Sequence, residues 1–568
     1  MSSKAHPGKF TSLAALVAVL SPVAAVAQIS ASITSAVKTS EVLTWSTVAN
    51  TATVIPNGDG RTFNSFNQPS VNTSGVVVLR GRSKGSDSGG TGETATLAAA
   101  EGNSPLHGVY SREMATGGGL KVVFDKTTPV PPPSNIQYSG QPVTFTEFPA
   151  FPRIGIANNT MLSRAQSKPV YTYTLPDLTE TRVGTSGIYG MQVLSRVSAA
   201  TQLGAVPGYS YFAVPGLSPA TKFDQFPGAP AVADANTVVF KGNYTDGTTA
   251  KTGIFFRNVH GGSAPAAVQV IASSDTLIPG QPAGGVRFGS TAPPSASEQD
   301  VVFVGLDNEN APTLGGIYRA PLATRPTLQT LVSIGQPVPG EASGSFTRIG
   351  ESLSYDGERV AFWGAWGTEM RSMTLSCPVD GQKAVIAYCN AQYPTGFLAQ
   401  IPIHQGIFVY DLKTAQIYPV AKTGADYADF VYWTFSGRPP GVGDAESEDF
   451  EPPRWRTAAF ASTYGDKKQT LVAFKAQKAG GVNGIYLSKL TLEKKAKVVG
   501  SSSVISTVVE SGNRAQAFDP LAPYGAVVTA IGIERDGLRA NWLAVAISML
   551  DPVTSESWAG VYLTNLGK

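Results

Sequence analysis

Apolar positions along this chain of 568 residues come in short runs, not in the long stripes of amphipathic helices. Runs such as Val76 to Leu79, Val238 to Phe240, Val301 to Phe303, Val360 to Phe362 and Leu471 to Phe474 are bounded by turn residues, which predicts strands. Seven times Gly is followed by Ile or Val and then an aromatic: Gly108-Val109-Tyr110, Gly187-Ile188-Tyr189, Gly253-Ile254-Phe255, Gly316-Ile317-Tyr318, Gly406-Ile407-Phe408, Gly484-Ile485-Tyr486 and Gly560-Val561-Tyr562. Composition alone would supply fewer than about one such triplet, so the series is an internal repeat. Successive copies lie 79, 66, 63, 90, 78 and 76 residues apart, so the unit is constant in kind while its loops vary.

Within a unit the order is stable. A turn such as Pro215-Gly216, Pro279-Gly280 or Pro339-Gly340 comes first, then one or two Phe (Phe63 and Phe66, Phe145 and Phe148, Phe223 and Phe226, Phe288, Phe346). A polar-apolar strand, a turn, an apolar strand, the Gly-Ile-Tyr strand and a last strand such as Leu328 to Ile334 follow. Four short strands per unit in seven units predict an all-β fold, a seven-bladed β-propeller whose core lies between neighbouring blades. Too little chain follows Gly560 for a fourth strand in the last blade. Residues Thr47 to Ile55 are therefore expected to pair with Val561 to Leu566 and close the ring, removing two open sheet edges.

The turns Asn72-Thr73-Ser74-Gly75-Val76-Val77-Val78-Leu79 and Tyr355-Asp356-Gly357-Glu358-Arg359-Val360-Ala361-Phe362 carry a resemblance. They resemble secreted tandem-repeat propeller proteins with an Asn-x-x-Gly-x-x-Ala-Phe motif and, more distantly, TolB-like propellers with a Ser-x-Asp-Gly turn. The resemblance spans roughly residues 45 to 566 and implies an architecture and an exported location; it transfers no catalytic residues. Copy two near Asn159, copy six near Tyr464 and copy seven near Asp536-Gly537 depart from the motif.

The N-terminus changes the picture next. Lys4 and Lys9 precede an apolar stretch from Leu13 to Leu20 and then Ala25-Val26-Ala27, the order of a secretory signal peptide. The expected organisation is a signal peptide at 1–27, a linker at 28–44 and the propeller at 45–568. The signal holds two of the 43 basic residues and none of the 40 acidic ones, which leaves the remainder near neutrality. Nothing in that balance calls for nucleic acid, and no later segment is apolar enough for membrane insertion. A monomer is expected. Cys377 and Cys389 are the only cysteines; in an oxidising compartment they are read as one local disulfide.

In a propeller the links from second to third strands and the links between blades share one face. The longest such links here run from Arg80 to His107, Trp363 to Gln405 and Thr423 to Pro453, so binding is expected on that face. Trp363, Trp366, Tyr432, Trp433 and Trp455 are the candidate binding residues, as an aromatic platform for sugar rings or a partner's side chains, set against a packing role beneath the insertions. Asp444, Glu446, Glu448, Asp449 and Glu451, and separately Asp307 to Asn310, are oxygen-rich enough to suggest Ca²⁺. They lack the spacing of an EF-hand, so solvated loops and no metal or other cofactor are expected. Gly81-Arg82-Ser83-Lys84-Gly85 matches a nucleophile elbow in letters only, because no helical pattern follows it. His107 and His404 fall in blades one and five and are not expected to share a site. Asn72, Asn158 and Asn243 begin glycosylation sequons that would matter only in a eukaryotic host.

These observations favour a secreted or cell-surface module that binds an extracellular glycan or protein without chemistry. The alternative is a polysaccharide lyase or glycoside hydrolase with its site at the axial mouth, built from an acid/base group and an Arg or Lys; Arg153, Arg454, Arg456 and Glu351 are its candidates.

Overall fold

A computed structural model describes residues 35–37, 43–84, 106–131, 137–138, 141–174, 180–192, 195–201, 212–219, 221–259, 266–379, 383–436, 453–466, 469–492 and 501–567. The strands form seven antiparallel sheets, one per predicted unit, and the chain is a seven-bladed β-propeller. Blade four shows the common plan: an inner strand broken into Ser290–Thr291 and Ser295–Ser297, then Asp300–Leu306, Gly315–Pro321 and Gln329–Ser333 in order outward. The inner segments of successive blades abut all the way round, from Ser70–Val71 through Leu538–Arg539 and back, so the ring is closed.

The repeated triplet has a steric explanation. Its aromatic packs edge-on against an inner-strand ring in six blades: Phe63–Tyr110, Phe145–Tyr189, Phe223–Phe255, Phe288–Tyr318, Phe346–Phe408 and Tyr427–Tyr486, with centroids 4.8 to 5.3 Å apart. The second strand passes under the inner ring at a glycine in four blades. A Cβ on Gly81, Gly242, Gly305 or Gly364 would lie 2.6 Å from Phe63, Phe223, Phe288 or Phe346. The triplet glycine faces a comparable obstacle, since a Cβ on Gly316 would meet the Val332 carbonyl of the outer strand at 1.9 Å. Between the next two residues of the triplet the outer strand shifts register by a bulge, in each of the first six blades.

The Asn-x-x-Gly turn also has a cause. The Asn72 carboxamide oxygen accepts the Ser74 and Val76 amides at 3.0 and 2.9 Å, while its nitrogen donates to Asn159 Oδ1 of blade two at 2.8 Å. Asp356 repeats the device, accepting the Arg359 amide and, across the blade boundary, the Gly465 amide at 2.8 Å. Each motif residue thus shapes its own turn and ties it to the next blade. The buried, donating Asn72 nitrogen is no glycosylation acceptor, which corrects that sequon.

Ring closure follows the predicted route with shifted bounds. Trp45–Asn50 pairs with Ser557–Asn565, matching Thr47 to Tyr562 and Asn50 to Gly560. The strand stops at Asn50 because its side chain accepts the Ala52 amide and the Thr53 hydroxyl, turning the chain away. Ser35–Val37 adds in parallel to the outer strand of blade six.

Two departures matter for function. In blade six the two halves of the inner strand, Tyr427–Asp429 and Ala461–Gly465, are separated by a hairpin of Tyr432–Ser436 and Arg454–Ala458, so the expected interblade link is partly strand. In blade seven Asp536-Gly537 is not the turn into the second strand; Ala540 and Asn541 make that turn. Residues 534–536 instead cross the centre of the ring. The signal peptide and the acidic run from Asp444 to Glu451 lie outside the described residues.

Candidate functional site

The centre of the ring is filled. Arg535, 3% exposed, donates to the carbonyls of Ala229, Pro230 and Pro293 in blades three and four, and its own carbonyl accepts the hydroxyls of Ser354 and Ser462 in blades five and six. Val71 of blade one donates its amide to the Asp536 carbonyl at 2.9 Å. Arg153 of blade two pairs with Glu534 at 2.9 Å and Asp536 at 3.3 Å, and Arg539 pairs with Asp536 on its other side. Burial would raise the Asp536 carboxyl, but Arg539, Arg153 and Arg535 hold it below its ordinary value. Arg153 therefore belongs to a buried ionic hub in which its terminal nitrogens pair with Glu534 and Asp536, while its Nε and that of Arg535 have no hydrogen-bond partner among the described residues.

Beside that hub, over blades four to six, lies a cavity of about 310 Å³. Its walls come from the breaks in the inner strands. Blade five contributes Arg348 to Ser352, blade four Ser290, Ala292 and the loop residues Glu309, Asn310 and Pro312, and the hairpin of blade six Val431, Trp433 and Thr457 to Ala459. Trp363 and the strand residues Gln400 to Pro402 complete it.

The local supports are specific. Trp363 donates its indole N–H to Gln405 Oε1 at 2.9 Å, Gln405 donates to Asp429 Oδ1 at 2.9 Å, and Arg371 pairs with Asp429. Gly350 lies against the Trp363 ring, where a Cβ would meet it at 3.2 Å. The hairpin is braced by an arm of blade five: the disulfide Cys377–Cys389 ties helix Lys383–Gln392 to the strand Arg359–Leu375. Cys389, Val385, Phe435, Tyr393 and Trp455 form a small core of their own.

Glu351 projects into the cavity with its tip open to solvent. The protein crowded around it pushes its carboxyl above the ordinary value; Lys241 opposes this, Glu309 reinforces it, and Arg454 and Arg456 also oppose it. Glu309 accepts the Ser290 hydroxyl at 3.0 Å. Glu351, with Arg454 and Arg456 acting on it, thus lines a lateral cleft and not the axial mouth where the alternative reading expected its acid.

The five predicted aromatics do not form one surface. Trp363 and Trp433 line the cavity. Trp366, three residues from Trp363 and so on the opposite face of the same strand, is buried between blades four and five and stacks on His404 at 5.9 Å. Trp455 belongs to the core of the arm, stacked on Phe397 at 6.1 Å. Tyr432 covers the Lys475 ammonium, 3.8 Å from its ring centroid; burial lowers that amine to about 8.

His404 is exposed and pairs with Glu369 at 3.2 Å, whereas His107 is buried beside Glu147 at 3.0 Å, so the two imidazoles serve separate places. Burial holds His107 neutral down to about 4 against the pull of Glu147. Burial would raise Glu147, but His107 and then Arg82 and Arg80 keep it well below the carboxylate range; Arg82 grips it at 2.6 and 2.7 Å. The Asp307 loop is self-satisfied, its carboxylate taking the Thr313 and Leu314 amides and the Thr313 hydroxyl. Among the described residues no group of three or more His, Cys, Asp or Glu is placed to hold a metal ion, and no helix is long and apolar enough to cross a membrane.

Sequence reasoning missed Arg348, Gln405 and the hub. No known protein-family profile matches the chain, and no curated protein does. Among solved structures, it is similar to a GH62 hydrolase in complex with xylotriose, with 8% identity over 59% of this chain and 90% of that chain and a TM-score of 0.20. It is also similar to Drosophila Semaphorin 1b, extracellular domains 1-2, with 11% identity over 89% of this chain and 73% of that chain and a TM-score of 0.20. Similarity at that level assigns no activity, and the blade count rests on the strand pairing.

Proposed function

We propose that this protein is an exported propeller that binds a glycan in the lateral cleft over blades four to six without chemistry of its own. The cleft carries the reading: it joins two indole-bearing walls, Trp363 and Trp433, to hydrogen-bonding groups on Glu351, Arg348 and Gln400 in one concave space. Sugars present flat apolar faces ringed by hydroxyls, and such a mixture of apolar and polar groups suits them. The signal-like N-terminus, the motif resemblance and the disulfide support export.

The test is a panel of polysaccharides assayed both for retention of the protein and for new reducing or unsaturated ends. Retention on one glycan, weakened by Trp433→Ala and without product, is the expected result; no retention on any glycan refutes the reading. A second reading, glycoside hydrolysis in the same cleft, is favoured by one observation: Glu309 and Glu351 line it together, and Glu351 is pushed toward the protonated form. Under that reading Glu351→Gln keeps binding and abolishes product.

A further inference from the structure

Building on the saccharide reading of the cleft, we propose that it selects a sugar that bears a carboxylate, a uronic acid unit, and that Arg348 holds that carboxylate. Arg348 sits half-buried on the cavity wall, at the end of the inner strand Phe346–Ile349 of blade five. Its backbone pairs with Ala365 of the next strand, but its guanidinium makes no hydrogen bond or ion pair to any described residue. Half-buried and buried arginines elsewhere in the ring behave differently: Arg82 grips Glu147, Arg371 pairs with Asp429, and Arg112 and Arg257 donate to carbonyls of neighbouring strands. A guanidinium left without an acceptor on the wall of a concave site has its donors available to a ligand.

The surrounding charge agrees. Lys241, Arg454 and Arg456 all act on Glu351 through space, so their field reaches the same cleft that Arg348 lines. That field favours a ligand carboxylate beside Arg348 and gives a neutral sugar no such gain. Its planar carboxylate matches the two parallel N–H donors of a guanidinium. The two acidic side chains then serve as acceptors for ring hydroxyls, and Trp433 offers the apolar wall.

The experiment uses the full chain without residues 1–27. Oligomers of galacturonate, glucuronate and mannuronate, the methyl ester of each, and a neutral glucan oligomer are titrated calorimetrically at low and physiological salt. At least one free acid is expected to bind about tenfold or more tightly than its own ester, with the advantage shrinking as salt rises. Arg348→Gln brings that acid down to the level of the ester, Arg348→Lys recovers part of the difference, and Trp433→Ala weakens acid and ester alike. Since Arg348 bridges no described residue, neither Arg348 variant should shift the unfolding midpoint. Equal binding of acid and ester, or an acid preference that survives Arg348→Gln, overturns uronate selection and leaves the saccharide cleft standing. Failure of every oligomer to bind overturns both.

Discussion

Replacing Asp519 by Ala tests the closure of the ring at a single carboxylate. One oxygen of Asp519 accepts three donors: Asn50 Nδ2 of the N-terminal strand at 2.8 Å, Trp558 Nε1 at 3.0 Å and the Tyr562 hydroxyl at 3.0 Å. Tyr562, the triplet aromatic of blade seven, is thus held through its hydroxyl, whereas the triplet aromatics of the other six blades pack edge-on against an inner-strand ring. Removing the acceptor strands donors that are buried at Asn50 and Tyr562 and half-buried at Trp558. Each buried donor left alone costs about 1–3 kcal/mol, and Trp558 can recover water, so a loss of about 3–5 kcal/mol is expected. Asn50→Ala leaves the acceptor served by two donors but also strips the Ala52 amide and Thr53 hydroxyl of their acceptor, which should cost about 1–3 kcal/mol. Urea unfolding gives the stabilities, and limited proteolysis reports release of residues 43–50. A loss under about 1 kcal/mol for Asp519→Ala, or unchanged protection of the first strand, would refute the idea that this carboxylate fastens the two ends.

Further outcomes follow from the same geometry. Gly364→Ala places a Cβ 2.6 Å from the Phe346 ring and should destabilise by about 1–3 kcal/mol in thermal unfolding, while Gly480→Ala, which meets nothing within 4 Å, should stay within about 0.5 kcal/mol. Cys377→Ser with Cys389→Ser should loosen the arm by about 2–3 kcal/mol, read as faster proteolytic cleavage within 376–395, with the ring itself intact. His107 is held near 4 in the folded protein against 6.5 ordinarily, so the unfolded chain takes up its proton first. Stability should therefore fall as pH drops from about 6.5 to about 4, by roughly 3 kcal/mol from this group, and His107→Gln should flatten that part of the profile. The depressed Glu147 adds a loss in the same direction at still lower pH.

The ring was legible because its signals are local and repeated. Gly81, Gly242, Gly305 and Gly364 recur because a ring lies over each, and a steric demand met in one blade is met in the others. The closing strand was legible from a deficit, one strand short at the C-terminus. The cleft was legible only in pieces. Trp363, Trp433 and Glu351 drew attention as residue types, but their convergence depends on how breaks in three inner strands face one another, which no single repeat encodes. Trp366 was grouped with Trp363 by nearness along the chain, although two positions three apart in a strand point to opposite faces. Asp536-Gly537 stood out in sequence only as a departure from the motif, with nothing to mark Glu534-Arg535-Asp536 as the centre of the ring. Their true surroundings are backbone carbonyls and ionic partners contributed by blades far away in sequence.

That central hub has a consequence for biosynthesis. Residues 534–536 are made after the six blades they touch, and they are the piece that contacts every one of them. Until they arrive, six sheets surround an open bore with unmatched carbonyls and a lone Arg153, and the first strand has no partner to join. A chain that stops before blade seven forfeits the rivet and the clasp together, so the synthesis of that blade is what converts a row of half-covered sheets into a finished disc.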